Sequence, residues 1–285
     1  MGPPGREEPA PKASAFGRNL PAAVAVGVVL GGLAVLTLFT VRATFLLYMG
    51  IALAVGLAEL AGAFAKRDIN IPVIPVAAGG AAVVTCMYWL GSRWALAALA
   101  LTVAVILAWR LPGGTSGYVK DVTGGIFATI YVPFLASFVS AMLVPSDGAR
   151  RVLTFVILAI SSDIGGYFAG ITLGRRGRHL MAPVISPKKT WEGFAGSVAA
   201  GLAAGGLCVT LLLHGHAWQG LITGAAAVLA AILGDLVESM IKRDLDIKDM
   251  GTLLPGHGGI LERLDSLLVA APVVWLLLYV FIPAR

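Results

Sequence analysis

Nine long apolar stretches, separated by short polar connectors, run at approximately 20–41, 43–65, 70–91, 94–111, 122–144, 151–173, 192–213, 218–241 and 264–282. A bilayer hydrocarbon core about 30 Å thick is crossed by roughly 20 apolar helical residues. Each stretch approaches that length, although Gly, Pro and Trp interrupt the third and fourth. The pattern predicts an all-α fold: a polytopic integral membrane helical bundle of about nine transmembrane helices. No internal repeat relates them.

Composition points the same way. The chain is 58% hydrophobic and 13% charged, with a mean hydropathy of +0.88, against about 25% charged residues in soluble domains. Cys86 and Cys208 lie inside apolar runs and read as small buried hydrophobes. Asn19 and Asn70 lack the spacing of a glycosylation acceptor. The net charge of +6 is scattered among apolar spans with no zinc-finger spacing or soluble basic domain, which argues against nucleic acid. Residues 1–19, rich in Pro, Gly and charge, are expected to form a disordered cytoplasmic tail. The run that follows is too long for a signal-peptide core. Three parts result: the tail 1–19, N-terminal transmembrane helices over 20–150, and a C-terminal catalytic transmembrane region over 151–285.

Lys and Arg set the expected orientation. With a cytoplasmic N-terminus, only Arg42, Arg93, Arg150, Arg151 and Arg285 fall outside, and the other 16 of 21 basic residues face the cytoplasm. The same assignment puts two polar loops, 174–191 and 242–263, on the cytoplasmic side, and chemistry is expected there.

Seven of the 15 acids fall between positions 235 and 265. In "GDLVESMIKRD", Asp235, Glu238, Ser239 and Lys242 share about a 100° arc of one helix. Charges within a membrane helix are costly and face a wet cavity or one another; an Asp235 or Glu238 bridge to Lys242 that merely cements the bundle is the plain alternative. Glu262, Arg263 and Asp265 open the ninth stretch, with the two acids three positions apart. Two carboxylate-bearing helix ends suit a hard cation such as Mg²⁺, whereas the scarcity of Cys and His disfavours zinc. Lys242, Arg243, Lys248 and Arg263 suit phosphate oxygens. Metal plus basic groups is what phosphoryl or nucleotidyl transfer needs.

Between these helices, "GHGGILERLDS" contributes Gly256, Gly258 and Gly259, which permit a tight turn and N–H groups near an anion. In the other loop, Arg175, Arg176 and Arg178 read as topology anchors. "SPKKTWEG" offers Ser186, Lys188, Lys189 and Thr190, with Thr190 or Glu192 starting the seventh helix. "SSDIGGYFAG" buries Asp163 one turn before Tyr167. Glu59 has no motif around it; a structural hydrogen bond is as good an account as a functional role. His214 and His216 read as surface residues.

The stretch "SMIKRDLDIKDMGTLLPGHGGILERLDS", residues 239–266, resembles the signature of the phosphatidate cytidylyltransferases, and "SSDIGGYFAG" and "SPKKTWEGFAGS" resemble that family's two upstream motifs. The match covers 161–266; the first 150 residues resemble the family only in being membrane helices. The resemblance implies a magnesium-dependent enzyme of the cell membrane, with its active site facing the cytoplasm. It would join CTP to phosphatidic acid, giving CDP-diacylglycerol and pyrophosphate. Carried over, Asp235 and Asp265 would be metal ligands, while Ser239, Lys242, Arg243, Lys248, Asp249, His257 and Arg263 would line the nucleotide and phosphate site. Ser186, Lys188, Lys189 and Thr190 would contact the triphosphate or the lipid phosphate. Asp163, Tyr167, Glu192, Gly258 and Gly259 complete the expected substrate-binding set. Where the family has Asp this chain has Glu262, a third candidate metal group that reaches one methylene further.

Neighbouring activities remain open from the residues: a CTP-dependent polyprenol kinase, an ether-lipid cytidylyltransferase or, in another class, an ion-coupled transporter. The number of metal ions, one or two, is open as well. The 36 glycines suit a homodimer or tight packing within one bundle equally.

Overall fold

The computed structural model describes residues 20–174, 179–251 and 258–283, with side chains from Gly27 onward except that of Lys188. Among the described residues the chain forms nine helices: α1 (Leu20–Thr40), α2 (Arg42–Ala65), α3 (Val73–Trp89), α4 (Ser92–Trp109), α5 (Tyr118–Leu143), α6 (Gly148–Thr172), α7 (Trp191–Leu211), α8 (Ala217–Asp244) and α9 (Leu261–Phe281). Seven, from α2 and α4 through α9, are long and apolar enough to cross a membrane; α3 has 17 residues, and α1 is described in full only from Gly27. The all-α membrane bundle expected from the sequence is present, and seven of the nine helices among the described residues meet the length and hydropathy of a span. The chain is a multi-pass membrane protein.

One feature of the fold is not helical. Within the expected loop 174–191, β1 (Leu180–Ala182) and β2 (Ser186–Thr190) pair antiparallel, Leu180 opposite Thr190 and Ala182 opposite Ser186. Thr190 then caps α7, its Oγ1 accepting from Gly193 N at 3.1 Å, which satisfies one of the free donors of a helix start.

The core runs through α2, α5 and α9, where Leu60, Leu143, Leu261 and Leu278 are fully buried. Helix α5 carries a π-helical segment at Ile130–Phe134 around Pro133. Pro lacks the N–H of a regular turn, and such irregular turns take up the missing bond. This segment turns Tyr131 and Val132 into the core.

Helices α6, α7 and α8 pack through glycine. A Cβ on Gly165 would stand 2.5 Å from Gly196 O, and one on Gly205 would stand 2.2 Å from Gly220 O, so these backbones touch as only small residues permit. This packing consumes much of the glycine within one bundle, and the glycine content therefore no longer argues for a second copy.

Polar contacts tie the helix ends at both faces. On one face Arg110 pairs with buried Asp121 at 2.7 Å, Asn70 N donates to the same carboxylate, Arg67 Nε donates to Leu245 O at 3.2 Å and Lys120 donates to Arg67 O. On the other, Arg42 donates to Leu143 O and Ser146 O beyond α5, and buried Arg151 donates to Leu278 O and Ile282 O at the end of α9. Cations there satisfy the last carbonyls and the helix dipole. The first face collects Lys66, Arg67, Arg110, Lys120, Lys188, Lys189, Lys242, Arg243, Lys248 and Arg263; the opposite face has Arg42, Arg93, Arg150 and Arg151.

Candidate active site

On the basic face, the end of α6, the hairpin, the start of α7 and the last turns of α8 enclose a cavity of about 210 Å³. Asp163, Gly166, Tyr167 and Gly170 line it from α6, Met181 from β1, Lys189 and Thr190 from β2, Gly193, Phe194 and Ser197 from α7, and Ile232 and Asp235 from α8. The space exists partly because Gly166 has no side chain: a Cβ there would lie 2.5 Å from Ser197 Oγ. Ser197 Oγ donates instead to Ser162 O at 2.7 Å, locking α7 to α6 behind the cavity. Across the opening, Lys189 Nζ lies 2.7 Å from Asp235 Oδ2.

One turn along α8, the polar stripe changes function. Glu238 is 2% exposed and pairs with Lys242 at 2.5 Å, and Lys242 reaches Glu262 of α9 at 3.3 Å. The cementing bridge considered from the sequence is thus real for Glu238 and Lys242, whereas Asp235 on the same stripe turns to the cavity. Glu262 also accepts from Met250 N at 3.3 Å and Gly259 N at 2.9 Å. Its oxygens therefore organise the α8–α9 connection.

Asp265 is buried where α9 crosses α8, next to Gly234, whose missing Cβ would lie 2.4 Å from Asp265 O. Its carboxylate accepts from Ser266 N at 2.6 Å. The hydroxyl of Tyr131, 4% exposed, and Glu238 Oε1 have no hydrogen-bond partner among the described residues. The charges of Asp265, Glu238 and Asp235 all act on that hydroxyl. Asp235 engages Lys189, while Glu238 and Glu262 share Lys242, so carboxylates outnumber the lysines that engage them. A cation fits that deficit. Among the described residues no three His, Cys, Asp or Glu side chains converge into a complete ligand cage. Mg²⁺ typically takes only one or two carboxylates and fills the rest of its shell with phosphate oxygens and water. Asp235 and Asp265 suit that mode.

The structure therefore brings Asp163, Tyr167, Lys189, Thr190 and Asp235 to one cavity, with Asp163 and Tyr167 exposed there rather than Asp163 buried as the sequence suggested. Arg263, exposed at the start of α9, acts electrostatically on Asp163, as do Asp235 and Lys189. Ser239 and Asp249 are half-buried, and Arg243 and Lys248 are exposed on the same face. Ser186 and Glu192 do not line the cavity: Ser186 sits opposite Ala182 in the hairpin, and Glu192 pairs with exposed His179 at 2.7 Å. The N–H of Gly259 goes to Glu262 rather than to an open anion site, while Gly258 supplies a positive φ of 80°. His257, Gly256 and the three loop arginines lie outside the described residues, as does the side chain of Lys188.

Two contributors come from the first half of the chain, where no motif marked them. Tyr131 is one. Glu59 of α2 is the other; it accepts from Ile260 N at 3.1 Å and Leu261 N at 2.9 Å. Charge inside an otherwise apolar span was the available signal for Glu59, and the proline that reshapes α5 was the signal for Tyr131.

Known proteins share this arrangement of sequence. The phosphatidate cytidylyltransferase of Mycobacterium bovis is 38% identical over 286 residues, covering 96% of this chain and 92% of that protein. That of Mycobacterium leprae is 41% identical over 92% of this chain and 88% of its own length. A Bacillus subtilis phosphatidate cytidylyltransferase is 44% identical over 135 residues, 45% of this chain and 49% of its own. A sequence model described as the cytidylyltransferase family matches residues 21–281, and so takes in residues 21–150, which had resembled the family only as membrane helices; the chain belongs to the cytidylyltransferase family.

Proposed function

We propose that this protein transfers the cytidylyl group of CTP to phosphatidic acid, releasing pyrophosphate and CDP-diacylglycerol. The observation that carries the reading is the single cavity into which separate stretches of sequence deliver Asp163, Lys189, Thr190 and Asp235, in a chain whose relatives bear that enzyme name. The basic face is assigned to the cytoplasm of the cell membrane, following the excess of Lys and Arg there, so that soluble nucleotide and membrane lipid meet at one surface.

In the reaction, a phosphate oxygen of phosphatidate attacks the α-phosphorus of CTP, and the bond from that phosphorus to the bridging oxygen of pyrophosphate breaks. The attacking oxygen is already anionic, so positioning and charge neutralisation are enough without a strong general base. Lys189 is well placed to exchange Asp235 for a phosphate, and Arg263 to receive charge on the departing pyrophosphate. Mg²⁺ held by Asp235 and Asp265 would neutralise phosphate charge. Thr190 offers its hydroxyl at the start of α7, where the helix dipole favours anions.

The test is pyrophosphate release by the detergent-purified protein given CTP and phosphatidic acid, with and without Mg²⁺. Release that requires both substrates and the metal supports the reading. Formation of CDP would mean a lipid kinase, and no consumption of CTP would overturn nucleotide chemistry altogether.

A further inference from the structure

We infer that Glu59, on α2 and outside the signature stretches, is a positioning residue that holds the start of α9, and through it Arg263 and Asp265, against α8. The inference rests on the proposed cytidylyl transfer and extends it to the second helix of the chain.

The start of α9 has no capping side chain of its own: Ile260 occupies the cap position without a side-chain hydrogen bond. The first N–H groups of a helix need partners from elsewhere. Glu59 supplies both oxygens, Oε1 to Ile260 N at 3.1 Å and Oε2 to Leu261 N at 2.9 Å, from 201 and 202 positions away in sequence. Its charge also complements the positive end of the α9 dipole.

Two glycines are fitted to this carboxylate. A Cβ on Gly251 would stand 2.2 Å from Glu59 Oε1, and one on Gly259 would stand 2.6 Å from Oε2. The chain thus passes directly against Glu59 at both positions. Gly259 also donates to Glu262, which grips Lys242. Downstream on α9, Arg263 and Asp265 lie within one further turn of the residues that Glu59 holds. Glu59 does not line the cavity. It acts through the backbone of 260–261.

Glu59→Gln keeps the size of the side chain but places an amide N–H against a backbone donor. The experiment compares wild-type, Glu59→Gln, Gly259→Ala and the double variant. It measures pyrophosphate release against CTP and phosphatidate concentration, melting temperature, and amide hydrogen exchange across 260–265. A displacement of about 1 Å at reacting groups costs on the order of 100-fold in rate, so kcat should fall by about that factor in Glu59→Gln while KM for both substrates changes little. Exchange at 260–265 should quicken with melting temperature nearly unchanged. Because Gly259→Ala disturbs the same contact, the double variant should lose far less than the product of the two single losses. A Glu59→Gln protein that melts earlier but keeps wild-type kcat, or fully multiplicative losses, would overturn the role. The two readings fail separately: a wild-type protein that releases no pyrophosphate sinks cytidylyl transfer, whereas wild-type exchange at 260–265 in Glu59→Gln sinks the role of Glu59 whatever the activity.

Discussion

Lys189 Nζ and Asp235 Oδ2 meet at 2.7 Å across the cavity mouth, joining strand β2 to α8 over 46 positions of sequence. The side chains are 23% and 30% exposed, and an ion pair that wet contributes at most about 1 kcal/mol to stability. Its worth as a fold staple is therefore small. Lys189→Met should leave the melting temperature within a few degrees of wild type and lower kcat by about 100-fold or more, the scale for losing one preorganised donor to developing charge. Lys189→Arg should restore little, since the guanidinium fork differs from an ammonium in shape. Asp235→Asn should abolish pyrophosphate release. Wild-type turnover in Lys189→Met would remove Lys189 from the site.

The neighbouring trio behaves in the opposite way. Glu238 and Glu262 share the single cation of Lys242, and Glu238 is 2% exposed. Breaking a buried pair by removing one partner costs about 3–5 kcal/mol, because a charge is left without compensation. Lys242→Met should therefore lower thermal stability sharply, and adding Glu238→Gln should recover much of the loss. Unfolding followed in one detergent measures both. A Lys242→Met protein as stable as wild type would show that the trio does not hold α8 to α9.

These contrasts explain how much of the molecule was legible. Helix type followed from apolar length, because burial in lipid demands it whatever the tertiary contacts. The arc of Asp235, Glu238, Ser239 and Lys242 followed from helical spacing. What spacing could not show is that Asp235 pairs outward with Lys189 while Glu238, three positions on, pairs inward with Lys242; that division depends on which helix lies against each side of α8. The β1–β2 hairpin was hidden because "SPKKT" carries no alternation of apolar and polar residues. Glu59 stood out as a charge in an apolar span, but its partners, 201 and 202 positions away, could not be read from it; Tyr131, without a hydrogen-bond partner among the described residues, was not singled out at all.

Glu262 is held by donors of the protein itself, which is the reason to expect a structural role for it. It accepts from Met250 N and Gly259 N and faces Lys242. Glu262→Asp should lose at least one of these contacts and about 1–3 kcal/mol, the cost of leaving a buried polar group unpaired. Glu262→Gln should leave the Mg²⁺ concentration for half-maximal activity near its wild-type value, whereas Asp265→Asn should raise it strongly or end activity. Titration of Mg²⁺ against rate decides the point; a large shift in Glu262→Gln would make Glu262 a ligand after all.

The hydroxyl of Tyr131 offers the sharpest division between stability and function. It is 4% exposed, has no hydrogen-bond partner among the described residues, and lies within the electrostatic reach of Asp265, Glu238 and Asp235. An unsatisfied buried hydroxyl costs about 1–3 kcal/mol. Tyr131→Phe removes that cost and leaves no cavity, so its melting temperature should equal or exceed that of wild type. If the hydroxyl serves a group that arrives at the acids during turnover, losing a hydrogen bond to a charged partner, worth about 1.5–3 kcal/mol, should slow the reaction at least tenfold. The expected result is a protein both more stable and less active, the signature of a polar group kept for chemistry. A Tyr131→Phe protein that is stabilised and fully active would instead make the hydroxyl a cost of burial with no part in the reaction.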